Sequence, residues 1–104
     1  MSEEPTYEVV WPKSARSTDA RPPAPRVGSL QGKRVAFLWD YLFRGDELFP
    51  ELERELTNRF PGLKVIGYET FGNLHGPDEA RLIDELPTRL REHGVDAVIS
   101  GNGC

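Results

Sequence analysis

The sequence predicts an α/β domain built on a parallel sheet. Three observations point there. Short apolar runs at residues 35–39, 63–68 and 95–99 have the length of strands, the segments between them carry leucines at helical spacing, and turn formers separate the elements. Strand, helix, strand, helix and strand in that order call for parallel pairing with right-handed crossovers.

Residues 1–32 stand apart from this pattern. They hold Pro5, Pro12, Pro22, Pro23 and Pro25 among polar residues, a composition that predicts a disordered, flexible tail. Their one apolar patch, Tyr7-Glu8-Val9-Val10-Trp11, is read with the tail, and the alternative is a short strand or anchor laid over the domain. From residue 33 the texture changes. Val35-Ala36-Phe37-Leu38-Trp39 is a continuous apolar run, expected where a strand is covered on both faces. Asp46 to Phe60 follows as an amphipathic helix with Leu48, Leu52, Leu56 and Phe60 on its inner face and Pro50 in its first turn, where a missing N–H is harmless. Pro61-Gly62 ends it, and Leu63 to Tyr68 is the second strand.

Glu69 to Pro77, with Gly72, Asn73 and Gly76, reads as a loop. Asp78 to His93 is a second amphipathic helix through Leu82, Leu86 and Leu90, which Pro87 is expected to kink or split. Gly94 falls where a helix end favours a left-handed residue, and Val95 to Ile99 is the third strand. The whole of residues 33–104 is thus expected to form a Rossmann-like, partial parallel-sheet domain.

Composition narrows the partners. The formal charge of −4 and the pI near 5.2 argue against nucleic acid and anionic membrane surfaces, both of which select a surplus of Lys and Arg. No apolar run approaches the length of a bilayer span. One Cys and two His are too few for a disulfide or a closed zinc site, so no metal is expected, and no cofactor motif is read; the glycines lack a G-x-G-x-x-G continuation. The expected address is the cytoplasm, where a lone thiol stays reduced. A core this small calls for a complementary subunit or a homo-oligomer.

In open parallel sheets ligands collect beyond the carboxyl ends of the strands, and three loops fall there. The first offers Asp40, Tyr41 and Arg44, an acid, a phenol and a guanidinium suited to a small anionic substrate; equally, Asp40 reads as a turn former and Arg44 as a solvated side chain. The second carries Glu69 and His75, and His75 could serve as a general acid or base or simply be solvated. The third is Gly101-Asn102-Gly103-Cys104, a turn whose backbone could present N–H groups to an anion, or equally a plain flexible end. Its Cys104 is the only thiol in the chain. His93, near a helix end, is expected to be structural.

Three stretches carry a family resemblance: Trp39-Asp40-Tyr41-Leu42-Phe43-Arg44-Gly45-Asp46, Tyr68-Glu69-Thr70-Phe71-Gly72-Asn73-Leu74-His75-Gly76 and Asp96-Ala97-Val98-Ile99-Ser100-Gly101-Asn102-Gly103-Cys104. From Val35 to Cys104 the chain resembles the UGSC family, whose members carry selenocysteine or cysteine in a U-G-S-C or C-G-S-C motif after a strand and a glycine turn. The sequence reaches Cys104 where that motif begins or is about to begin. The expectation is therefore a front portion of a UGSC-like domain, with residue 105 a selenocysteine encoded by a codon ordinarily read as a stop. The resemblance implies thiol- or selenol-based redox or nucleophilic chemistry in the full form, centred at or just after Cys104 and supported by Asp40, Arg44, Glu69 and His75. The competing reading is a small non-catalytic half-domain that pairs with a partner subunit.

Overall fold

The structure, a computed structural model, describes residues 4–12 and 18–103. Residues 4–12 and 18–29 carry no helix or strand, and Tyr7, Val9 and Val10 are 80%, 89% and 90% exposed. The packed body begins with Leu30, which lies against the core, and with Lys33, whose carbonyl accepts from the Lys64 N–H.

Three parallel strands form the sheet: β1 (Arg34–Trp39), β2 (Lys64–Ile66) and β3 (Ala97–Gly101), in the order β2-β1-β3. Two helices, α1 (Gly45–Arg59) and α2 (Glu79–Glu92), connect them. The expected α/β architecture is the one observed. β1 takes the centre because it is the one strand whose every core position is apolar: Val35 through Trp39 are all buried. Its odd residues Val35, Phe37 and Trp39 face α1, and its even residues Ala36 and Leu38 face α2. The helices thus cover opposite faces, and β2 and β3 flank β1 on opposite sides. Both crossovers then have the same hand, as the chirality of βαβ units requires. Among the described residues no helix is long and apolar enough to cross a membrane.

Four local expectations are corrected. The inner face of α1 is set by Phe49, Leu52, Leu56 and Phe60, while Leu48 is 54% exposed. Phe49 wins because its ring meets Phe37 at 4.9 Å and also reaches Trp39, Phe43 and Tyr68, an aromatic contact set that a leucine one position earlier would not reach. The helix also begins at Gly45, which moves Pro50 out of the first turn. Of the kink or split expected at Pro87, the split does not occur, and α2 runs through the proline. Leu86 and Leu90 hold the helix to the sheet on either side of the proline, Leu82 is buried beside Gly72, and Pro87 and Ile83 lie on the exposed side. Finally, β2 ends at Ile66, with Tyr68–Thr70 forming a 3-10 turn, whereas β3 starts later than expected and continues through Ser100 and Gly101. Gly94 does take the left-handed conformation at the end of α2, with φ of 63°.

A candidate functional site at the carboxyl edge of the sheet

β1 and β3 part ways at their carboxyl ends, because β1 feeds α1 toward one flank while β3 lies on the other. This is the switch point at which open α/β sheets bind ligands. The turn after β1 opens with Asp40, and both of its carboxylate oxygens are occupied. Oδ1 accepts from the Leu42 N–H at 3.1 Å, a local Asx turn, and Oδ2 accepts from the Gly103 N–H at 2.7 Å across the switch point. Asp40 therefore ties the loop after β1 to the segment after β3. Its own N–H donates to the Gly101 carbonyl at 3.4 Å.

The glycines are needed here for room. A Cβ on Gly101 would stand 2.7 Å from Phe43 Cζ and 2.8 Å from Phe49 Cζ, and one on Gly103 would stand 2.7 Å from Leu42 Cβ. Gly101 is the last residue of β3, opposite Trp39, rather than part of a free turn. Asn102 is exposed, and its Oδ1 accepts from the Ser100 hydroxyl at 3.2 Å. Cys104 lies outside the described residues.

On the α1 side, Trp39 anchors an aromatic cluster. Tyr41 stacks on it at 4.2 Å, and Phe43 and Tyr68 meet it edge-on. Tyr41 does so with φ of 63°, a conformation uncommon for a bulky residue. The stack and the Asp40 turn are what hold it there. Burial, then the neighbouring Tyr68 and Glu69, push the Tyr41 hydroxyl above its ordinary pKa; burial, Glu69 and Asp46 do the same for Tyr68. Trp39 Nε1 is enclosed in this cluster with no hydrogen-bond partner among the described residues. Gly45 starts α1 directly against the indole, since a Cβ there would lie 2.6 Å from Cε2.

The remaining expected residues are less well gathered. Arg44 is exposed and paired with Glu47 at 3.1 Å, so it points outward rather than over the switch point. Glu69 sits on the 3-10 turn, its carboxylate folded back over Gly67. His75 is exposed in the loop that Asn73 organises: Asn73 Oδ1 accepts the His75 N–H at 2.9 Å, and Leu74 N–H donates to the Trp39 carbonyl at 3.3 Å. This brings the second loop to the end of β1. His93 is structural, its carbonyl accepting from Arg34 at 2.9 Å and its ring meeting Phe71. The role of Trp39 and Tyr41 as the floor of the site went unread in the sequence, although Trp39-Asp40-Tyr41 at a strand end was the available signal.

The fold and this edge define a three-stranded parallel α/β sheet with a helix on each face and a switch point cinched by a carboxylate. The UGSC family model matches residues 8–104, and the chain belongs to the UGSC family. The match begins within the stretch read as a tail. No curated protein and no solved structure matches the chain significantly.

Proposed function

We propose that this chain is the front portion of a UGSC-type domain whose full form performs thiol- or selenol-based redox or nucleophilic chemistry in the cytoplasm, with the reactive group at or immediately after Cys104. The observation that carries the reading is the bond from Gly103 N–H to Asp40 Oδ2, which anchors the residue preceding Cys104 to the end of the central strand. A nucleophile needs a fixed approach to its target, and a rigid strand end supplies it. In such chemistry the selenolate or thiolate attacks one sulfur of a disulfide, a new bond to that sulfur forms, and the other sulfur leaves as thiolate. Selenium ionises more readily than sulfur, so a selenol would be the stronger nucleophile at neutral pH.

The test uses protein isolated from its native source, weighed intact, searched for the isotope pattern of selenium and treated with an alkylating probe at about pH 6, where an ordinary thiol is slow. The proposal expects a product longer than this chain that contains selenium or reacts rapidly. A product ending at Cys104, without selenium and alkylated no faster than free cysteine, would remove it. The second reading is a non-catalytic half-domain that pairs with a partner subunit. It is favoured by β3, a sheet edge on which Val98 is 41% exposed. Co-purification of a stoichiometric partner together with that unreactive product would select it.

A further inference from the structure

The two edges of the sheet are not alike. β2 is three residues long and opens with the exposed Lys64, two features that discourage a further strand from adding. β3 runs for five residues with neither a charge nor a proline, and among the described residues its outer side pairs with no strand. The face beside it is also bare. Val98 pairs in register with Ala36 and so shares the α2 face of the sheet, yet Ala36 is fully buried and Val98 is 41% exposed. α2 lies over β1 and β2 instead, packing on Ala36, Leu38 and Ile66, and its Arg89 leans toward β2, donating to the Thr70 carbonyl at 3.0 Å. At about 100° per residue, Ile83 and Pro87 stand on the opposite flank of the helix, toward β3, and both are exposed. Val98, Ile83 and Pro87 thus form an apolar flank along an unprotected edge.

The chain also carries a strand-length apolar segment that the sheet does not use, residues 7–11. Tyr7, Val9 and Trp11 are 80%, 89% and 77% exposed, and in a strand they would share one face. The UGSC family match begins at residue 8, so Val9, Val10 and Trp11 fall inside the family pattern. We propose that residues 7–11 of a second copy of this chain add to the outer side of β3 as a strand, with Tyr7, Val9 and Trp11 laid over Val98, Ile83 and Pro87, and that two copies do so reciprocally. Strand addition satisfies the free N–H and C=O groups of β3, and the covered flank is removed from water. Reciprocal exchange closes the assembly at two copies. A second copy is favoured over the chain's own segment because Pro22, Pro23 and Pro25 stiffen the connection to β1, and because the segment is exposed while the edge of its own sheet stands open. Pairing β3 against β3 would leave residues 7–11 uncovered. The inference rests on the second reading above, a half-domain that pairs with a partner subunit, and names that partner.

The experiment is sedimentation velocity on the full chain across a concentration series, with NMR on mixed labelled and unlabelled protein to detect contacts between copies. The expected result is a monomer–dimer equilibrium in which Val9 and Trp11 of one copy contact Val98 and Ile83 of the other. Val9→Lys and Val98→Lys should each weaken dimerisation at least about tenfold, since each replaces a buried apolar contact of the added strand with a charge. Leu48→Lys, at a position on α1 exposed to a similar degree, should leave it unchanged. Val9 stands outside the packed body, so Val9→Lys does not act by unfolding it. A dimer that Val9→Lys leaves intact would overturn the inference while the partner-subunit reading survives, because the copies would then join elsewhere. Contacts between Val9 and Val98 within a single copy would overturn it in favour of docking in cis. A chain that stays monomeric at every soluble concentration would also overturn it, and the partner-subunit reading would then be decided separately, by whether a different protein co-purifies.

Discussion

Replacing Asp40 with alanine removes the one side chain that fastens the segment after β3 to the loop after β1. Two backbone donors lose their acceptor: the half-buried Gly103 N–H at 2.7 Å and the Leu42 N–H at 3.1 Å. A hydrogen bond to a charged acceptor contributes about 1.5–3 kcal/mol, and the local Asx bond, more exposed, adds less, so the loss is placed at about 2–3 kcal/mol. In a domain of this size each kcal/mol moves the melting temperature by about 4–8 °C, and Asp40→Ala should therefore melt about 10–20 °C lower. Asp40→Asn offers a single acceptor oxygen and can satisfy only one of the two donors, so it should fall roughly midway. The assay is thermal unfolding followed by circular dichroism, with hydrogen exchange at Gly103 as the local readout. Exchange there should accelerate in Asp40→Ala well before global unfolding. A melting temperature unmoved by Asp40→Ala, or a Gly103 amide that exchanges as in the parent, would refute the claim that this carboxylate cinches the switch point.

Two further predictions come from the aromatic cluster. Gly45→Ala should cost about 1–3 kcal/mol in urea denaturation, because its Cβ would meet an indole that Tyr41, Phe43, Phe49 and Tyr68 prevent from moving; Gly101→Ala should cost a similar amount, since its Cβ would meet the buried Phe49 ring as well as Phe43. Equal stabilities for Gly45→Ala and the parent would mean that Trp39 is less tightly held than its contacts imply. The second concerns alkaline pH. The folded-state pKa values of Tyr41 and Tyr68 lie above the ordinary 10.0, so above about pH 10 the unfolded chain ionises first and stability declines as pH rises, whereas below that value it is unaffected. Glu69→Gln removes a charge that raises both, so tyrosinate absorbance should develop at lower pH and the alkaline loss of stability should shrink. A tyrosine titration identical in parent and Glu69→Gln would contradict that assignment.

The elements of this protein were written locally, and local patterns were enough to read them. Val35 to Trp39 reads as a doubly covered strand because no polar residue interrupts it, and the leucines of α2 recur at the helical period because one face of it meets Ala36, Leu38 and Phe71. The alternation of strands and helices, with crossovers of one hand, leaves few arrangements besides a parallel sheet. Where two local signals compete, periodicity alone is insufficient. Leu48 and Phe49 are adjacent, both apolar, and only the presence of Phe37, Trp39 and Tyr68 beneath the helix selects Phe49. Pro87 is a helix breaker by intrinsic preference, and it is tolerated because the leucines on either side are pinned to the sheet.

The site was legible as a list of loop residues and not as an arrangement. Asp40 was read as either a ligand-binding acid or a turn former; it forms the turn and also reaches across 63 positions of sequence to Gly103. A contact of that span depends on the order β2-β1-β3, which places β3 beside β1. Periodicity says which face of an element is buried but not which element will cover it. The same holds for the glycines after β3, needed because Phe43, Phe49 and Leu42 crowd them, and for Ile83 and Val98, brought to one flank from α2 and from β3. The sequence by itself determined the class of fold, the helical and strand periods and the family, because these depend on neighbours within a few residues or on matching stretches. Only the tertiary structure decided which side chains meet, because packing and long-range hydrogen bonds are made between residues that the chain itself keeps far apart.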